Sequence, residues 1–280
     1  ELRERTGLGM MDCKRALTEA DGDMEKAIEE LRKKSALKAA KKAGRTTANG
    51  LLGIHVAADG TRGAIVEVNI ETDFAAKNEK FIAFVSKVTE KLFESADGDL
   101  AVLAAGDLNA ERETLVQEIG ENITIRRGEV VASAAGGISE YMHGDQRRGA
   151  LVNLAEANAE LGRDIAMHVV AINPMVVRSE DVAPDVLAKE REIFTSQAAE
   201  SGKPEDIVVK MVEGRVKKFL AEVSLLDQPF VKDGDIKVGK LVANAGTEVL
   251  SFVRYEVGEG IEVEETDFAA EVAAQVAGND

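Results

Sequence analysis

The 280-residue chain reads as an α+β protein with a duplicated core. Three observations support this. Arg62-Gly63-Ala64-Ile65-Val66-Glu67-Val68-Asn69 resembles Arg148-Gly149-Ala150-Leu151-Val152-Asn153-Leu154 at an offset of 86 residues. A glycine, a short strand-like stretch and a histidine precede each copy (Gly53 to His55, Gly137 to His143), and a helix-period segment follows it. A long helical block then interrupts the second copy. On this reading His55 and His143 are repeat equivalents.

In chain order, residues 1 to about 32 predict three short helices. Thr6-Gly7-Leu8-Gly9 breaks the first, and Asp21-Gly22-Asp23 turns between the second (about Met11 to Ala20) and the third. Met24, Ala27, Ile28 and Leu31 form one apolar stripe on the third. So small a unit buries little and is expected to be marginal alone. Lys33 to Arg45 is basic and Ala-rich without an acid; lacking interleaved aromatics, it reads as a solvated helical linker rather than a nucleic-acid patch. In the first copy the helix carries Phe81, Phe84, Val85, Val88 and Leu92, with Asn78 as its N-cap. In the second it carries Ile165, Met167, His168, Val169 and Ile172.

Pro184 to about Ser201 predicts a helix with Val186, Leu187, Ile193, Phe194 and Ala198 facing inward. Ser201-Gly202-Lys203-Pro204 stops it and starts another, carrying Ile207, Val208, Met211, Val212, Phe219, Leu220 and Val223. So short a connection predicts an antiparallel hairpin projecting from the body. Gln228-Pro229-Phe230-Val231 re-enters the core, and Val249 to Glu256 reads as a strand. From Glu264 a short amphipathic helix is expected, with Phe268, Val272 and Val276 on one face.

The apolar run Ala64–Ile70 reads as a buried strand, and Glu71-Thr72-Asp73-Phe74-Ala75-Ala76-Lys77 breaks it with an acid beside an aromatic. Aromatics make up only 4% of the chain, with no Trp. Phe74 either caps its own core or plugs a pocket on another protein. The second copy has Ala155-Glu156-Ala157-Asn158 at this corner, so the scaffold itself does not require the acid–aromatic pair.

Net charge is −16, so direct DNA binding is not expected, nor RNA binding except through a larger complex. No apolar run approaches a membrane span, the first residues do not resemble a signal peptide, and the lone Cys13 fits a reducing, cytoplasmic setting. A phosphate loop, a strand-linked G-x-G-x-x-G and a cysteine–histidine zinc pattern are all missing from the sequence. Gly258-Glu259-Gly260 is only a turn signal, and His55, His143 and His168 lack ligand spacing. Neither an enzymatic site nor a cofactor is expected. A second Thr266-Asp267-Phe268 sits at helical spacing with Val272 and reads as ordinary packing.

Three stretches together resemble the bacterial translation elongation factor Ts family: Leu2 to Lys14, Glu67 to Phe74, and Val253 to Glu262. Their order and spacing extend the resemblance over essentially the whole chain. The family usually has several residues ahead of the one numbered Glu1 here, so a trimmed start is expected. The resemblance implies an N-terminal UBA-like domain and basic linker (1–45), core subdomain N (46–135) and core subdomain C (136–177 and 227–261). It also implies a coiled-coil hairpin (178–226) and a C-terminal helical module (262–280). It implies a non-enzymatic guanine nucleotide exchange factor for the GTPase elongation factor Tu. The Thr72-Asp73-Phe74-Ala75 corner would meet the partner's G domain and disturb its magnesium site. Arg3, Met10 and Met11 would touch a G-domain helix, Ile119 and Gly120 would approach the phosphate-binding loop, and His143 would face another domain. Ala75 stands where the family has Val, a smaller residue expected to weaken the local contact. The alternative reading is an adaptor or RNA-associated module using the helical N-terminus and basic linker; a small-molecule enzyme is a third. A homodimer through the hairpin stays open.

Overall fold

A computed structural model describes residues 1–200 and 204–262. The three N-terminal helices are α1 (Leu2–Thr6), α2 (Met10–Glu19) and α3 (Met24–Lys42). Leu2, Leu8, Cys13, Ala16, Ala27 and Leu31 close a small apolar cluster among them. The basic segment is helical and mostly exposed, as expected, but it is not a separate linker. It is the second half of α3, whose Leu31, Ser35 and Ala39 are buried on one face. Ser35 Oγ donates to Gln117 Oε1 at 2.6 Å, fastening α3 to the core. Small side chains allow that approach, which a search for large apolar residues overlooks.

The core holds two three-stranded antiparallel sheets. The first orders β1 (Asn49–Val56), β2 (Arg62–Ile70) and β3 (Ile123–Ala132). Between β2 and β3 come α4 (Asp73–Ala76), α5 (Glu79–Glu94), α6 (Leu100–Ala105) and α7 (Asp107–Ile119). The second orders β4 (Ile138–Met142), β5 (Arg148–Leu154) and β8 (Val249–Glu256). Helix α8 (Ala159–Ile172) follows β5, then α9 (Pro184–Ala199) and α10 (Glu205–Val223). A small β6 (Pro229–Phe230) and β7 (Asp233–Lys237) ribbon and α11 (Val238–Asn244) lead into β8.

The duplication extends to its irregularities. Pairing of β2 with β3 slips between Glu67 and Val68, and pairing of β5 with β8 slips between Asn153 and Leu154, the equivalent place. The histidine equivalence does not hold. His55 pairs with Ala64, whereas Tyr141 pairs with Ala150, so Tyr141 occupies the place of His55 and His143 lies beyond β4. Each sheet packs beneath its helix: Phe81, Phe84, Val85, Val88 and Leu92 over the first, Ile165, Ala166 and Val169 over the second. His168 is fully buried, accepting from Val231 N–H on Nδ1 (3.1 Å) and donating from Nε2 to Gln228 Oε1 (2.9 Å). Burial holds its pKa below the ordinary histidine value. Phe230 enters this second core, as the sequence predicts.

Helices α9 and α10 run antiparallel, with Phe194 against Phe219 and Arg215 bonded to Gln197. Ala198, Val212 and Val216 close a core of their own, and Leu187, Phe194, Val208 and Leu220 pack around it. Ile193, expected inside, faces solvent, as does Ile207 on α10. Ser201-Gly202-Lys203 and the expected helix from Glu264, with Phe268, Val272 and Val276, lie outside the described residues.

One buried acid joins the two halves. Glu67, in a strand whose other buried residues are apolar apart from Asn69, is wholly enclosed. Its carboxylate accepts from Arg126 (3.0 and 3.1 Å), Arg127 Nε (2.6 Å), Asn69 Nδ2 (2.9 Å) and the Gly258 N–H (2.8 Å). Burial alone would raise its pKa, but these donors together hold it below the usual carboxylate value. Gly258 has φ 80°, and a Cβ there would lie 2.3 Å from the Ala48 carbonyl oxygen. The Gly-Glu-Gly turn is thus the piece of chain after β8 that docks on the first sheet.

Candidate partner-binding surface

After β2 the chain leaves the core at Glu71, and Thr72 caps the single turn of α4 by accepting from Ala75 N–H at 3.1 Å. Asp73 enters the positive end of that turn. Ala76 is buried against the first core, which leaves Phe74 pointing away from it. The Phe74 ring is 80% exposed. Lys77 lies 3.4 Å from Asp73 and 5.5 Å from the ring centroid, so a single cation braces both. Asn78 then caps α5, as the sequence predicts.

Comparison of the two copies isolates this corner. The strands correspond at an offset of 86, from Arg62 to Arg148, but the buried helix faces correspond at 81, from Phe84 to Ile165 and Val88 to Val169. The first copy therefore carries about one extra helical turn between strand and helix, the length of α4. In the second copy Asn158 caps α8 directly. The aromatic corner is an addition to a fold that closes without it.

The corner is tied to the end of α7. Glu121 accepts from Thr72 N–H at 2.9 Å and from Thr72 Oγ1 at 2.8 Å. Glu71 accepts from Asn122 N–H at 2.6 Å. Between them, Ile119 ends α7 half-buried, and Gly120 terminates it in the left-handed region at φ 87°. Lys42 Nζ donates to the Gly120 carbonyl, so the α3 terminus reaches the same place. Lys80, in the first turn of α5, bonds Glu118 at 2.7 Å and the Gly7 carbonyl at 3.3 Å, joining the α1–α2 turn to α7. Met10 and Met11, 68% and 74% exposed, open α2 just beyond that turn, and Arg3 is exposed on α1.

His143 sits apart, in the turn between β4 and β5. Its Nδ1 lies 3.0 Å from Asp145, and Arg147 N–H and Arg148 also bond that carboxylate. Burial acts against these bonds, which nevertheless bring Asp145 down to about 2. The turn is held to β1 by Leu52 N–H donating to Gln146 O (2.8 Å) and Arg147 to Asn49 Oδ1 (3.1 Å). Asn49 in turn donates to the Glu71 carbonyl at 2.9 Å, so one path from the His143 turn to the corner runs through β1.

The profile of the family described as Elongation factor TS matches residues 71–259. A protein of that name from Hahella chejuensis is 57% identical over 99% of this chain and 96% of its own length. The chain belongs to the elongation factor Ts family. Saccharophagus degradans and Alcanivorax borkumensis have proteins of the same name that are 55% and 54% identical, each over 99% of this chain and over 96% and 99% of their own lengths. As an elongation factor Ts family member, the chain is a translation elongation factor. The family match opens at Glu71, the residue that begins the corner. Sequence reasoning missed Glu71 and Glu121 as supports of that corner; nothing in a single acid after a strand or a glycine announces them. Among the described residues no helix is long and apolar enough to cross a membrane, and no group of three or more acid, His or Cys ligands could hold a metal.

Proposed function

We propose that this chain is a guanine nucleotide exchange factor that binds the GDP form of elongation factor Tu, disturbs its Mg²⁺–phosphate site and promotes GDP release so that GTP can bind. The observation that carries this reading is the exposed Phe74 ring on a capped, braced corner that the duplicated fold does not need. The exchange factor acts by differential binding, holding the nucleotide-free partner better than the loaded one. Nanomolar nucleotide is held by about 12 kcal/mol, and a thousandfold faster release needs about 4 kcal/mol off the barrier. Burying one Phe supplies only about 1.5–3 kcal/mol. A broad anchor must share the work, and we assign it to Arg3, Met10 and Met11, to Ile119 and Gly120, to His143 and to the 262–280 module. We read 1–45 as a UBA-like unit, 46–135 with 136–177 and 227–261 as the core subdomains, and 178–226 as a coiled coil. The factor works in the cytoplasm and makes no covalent bond. Exposed Ile193, Ile207 and Val209 on the hairpin favour a second copy there, which sedimentation equilibrium would reveal.

The adaptor or RNA-associated reading is weakened by the pairing of the basic segment. Lys33 is bonded to Glu29 and Glu30, Lys34 to Glu19, Lys42 to Gly120 and Arg45 to Glu71. Only Lys38 and Lys41 of that run have no such partner among the described residues, too few for a phosphate-binding stripe.

Release of fluorescent GDP from elongation factor Tu tests the proposal. Phe74→Ala is expected to slow stimulated release roughly ten- to a hundredfold, the rate equivalent of one buried Phe. Its stability in urea should move by less than about 1 kcal/mol, because the exposed ring's one described contact in the free protein is the Lys77 cation over its face. Full stimulation by Phe74→Ala would overturn the wedge.

A further inference from the structure

We infer that Glu71 and Glu121 form a reciprocal clamp that makes the Thr72–Ala75 corner and the Ile119–Gly120 end of α7 one rigid probe, with Glu121 as a positioning residue for nucleotide release. The inference rests on the exchange-factor reading and goes beyond it by naming what sets the angle of Phe74. Each carboxylate accepts the backbone N–H of the residue following the other: Glu121 from Thr72 (2.9 Å), Glu71 from Asn122 (2.6 Å). The crossing fixes both chain segments at once, because neither acid can swing without freeing a backbone donor of the other.

Glu121 also fixes the cap. The Thr72 hydroxyl gives its proton to Glu121 (2.8 Å), which turns its lone pairs toward Ala75 N–H (3.1 Å). The direction of α4, and of the ring it carries, is therefore set from α7. Further bonds immobilise the other side. Asn122 Nδ2 donates to Arg45 O at 3.0 Å, and the Arg45 guanidinium lies 3.4 Å from Glu71.

The second copy supplies the contrast. Its corner is held by neutral groups, with Ala155 N–H on Glu248 O and Glu156 N–H on Thr247 Oγ1. A corner that presents no aromatic is held without carboxylates. A ring meant to press on another protein needs a stiffer mount, since a hinged one folds back under load.

The test pairs two readouts on the full-length chain. In the free protein, Glu121→Ala should speed amide hydrogen exchange at Thr72 and Ala75. In fluorescent-GDP release from elongation factor Tu it should cost roughly tenfold in stimulated rate, about one charge-assisted hydrogen bond. Glu121→Gln, which can still accept from Thr72 N–H, should stay within about threefold of the parent. In a Phe74→Ala background, Glu121→Ala should change the rate by less than about twofold, because it acts through the ring. The clamp is overturned if Phe74→Ala is impaired while Glu121→Ala keeps full stimulation, or if the two losses multiply. It is equally overturned if exchange at Thr72 is unmoved. Full stimulation by Phe74→Ala sinks the wedge reading itself, and this assignment with it.

Discussion

Replacing Glu67 by Ala tests whether one carboxylate couples the two halves of the core. The side chain is wholly buried and takes donors from both Arg126 and Arg127, from Asn69 and from Gly258 N–H. Breaking a buried ionic cluster by deleting one partner costs about 3–5 kcal/mol, most of it from the charges left behind. Here the two arginines are 25% and 30% exposed and can recover some water, which places the loss near the low end, about 3 kcal/mol. At roughly 2–4 °C per kcal/mol, the main melting transition should fall by about 6–12 °C. Because Arg127 also reaches the Glu256 carbonyl and Gly258 follows β8, the scan should split as the sheets lose their common tie. Differential scanning calorimetry reads both effects, and Glu67→Gln, whose one oxygen can still accept from Gly258 and Asn69 while giving up the Arg127 bond, should lose less. A single transition shifted by under about 2 °C would refute the coupling role.

Two further predictions concern stability. His168 is buried neutral with a depressed pKa, so below the unfolded value near 6.5 the unfolded chain binds the extra proton and stability falls as pH drops. Urea midpoints from pH 8 to pH 5 should show that slope, flattened in His168→Gln; an equal slope in the variant would assign it to other groups. Gly258→Ala forces a Cβ to 2.3 Å from Ala48 O at φ 80° and should cost about 1–3 kcal/mol, read as a lower urea midpoint. An unchanged midpoint would mean the turn can relocate.

Much of this architecture is legible in the residues, for physical reasons that differ by element. The two Arg-Gly-Ala strands reveal the repeat because both are buried on each face and so nearly invariant in character. Val249–Glu256 is found to the residue because its β-branched and aromatic content permits little else. The α6–α7 pair went unread, although Leu108, Leu115 and Val116 are buried at helical spacing, because polar residues dilute the stripe. The second half of α3 reads correctly as helical, but its packing on the core is hidden because Ser35 and Ala39 bury small surfaces. At the site, Phe74 is conspicuous as a rare aromatic after a strand, whereas its mount is made by acids distant in sequence, Glu121 lying 49 residues from Thr72. Glu67 is the instructive miss. An acid in an apolar strand needs donors, and the adjacent Arg126-Arg127 pair was available to supply them.

The tie between Glu67 and Gly258 spans 191 residues of chain. At roughly 5–20 residues per second of synthesis, the acid waits on the order of 10–40 s for that backbone donor to be made. Until then its strand holds a carboxylate answered by Arg126, Arg127 and Asn69 without the backbone donor that ties the first sheet to the second. An elongation factor of this design becomes sound only when the strand that closes its second sheet, and the turn after it, have been made.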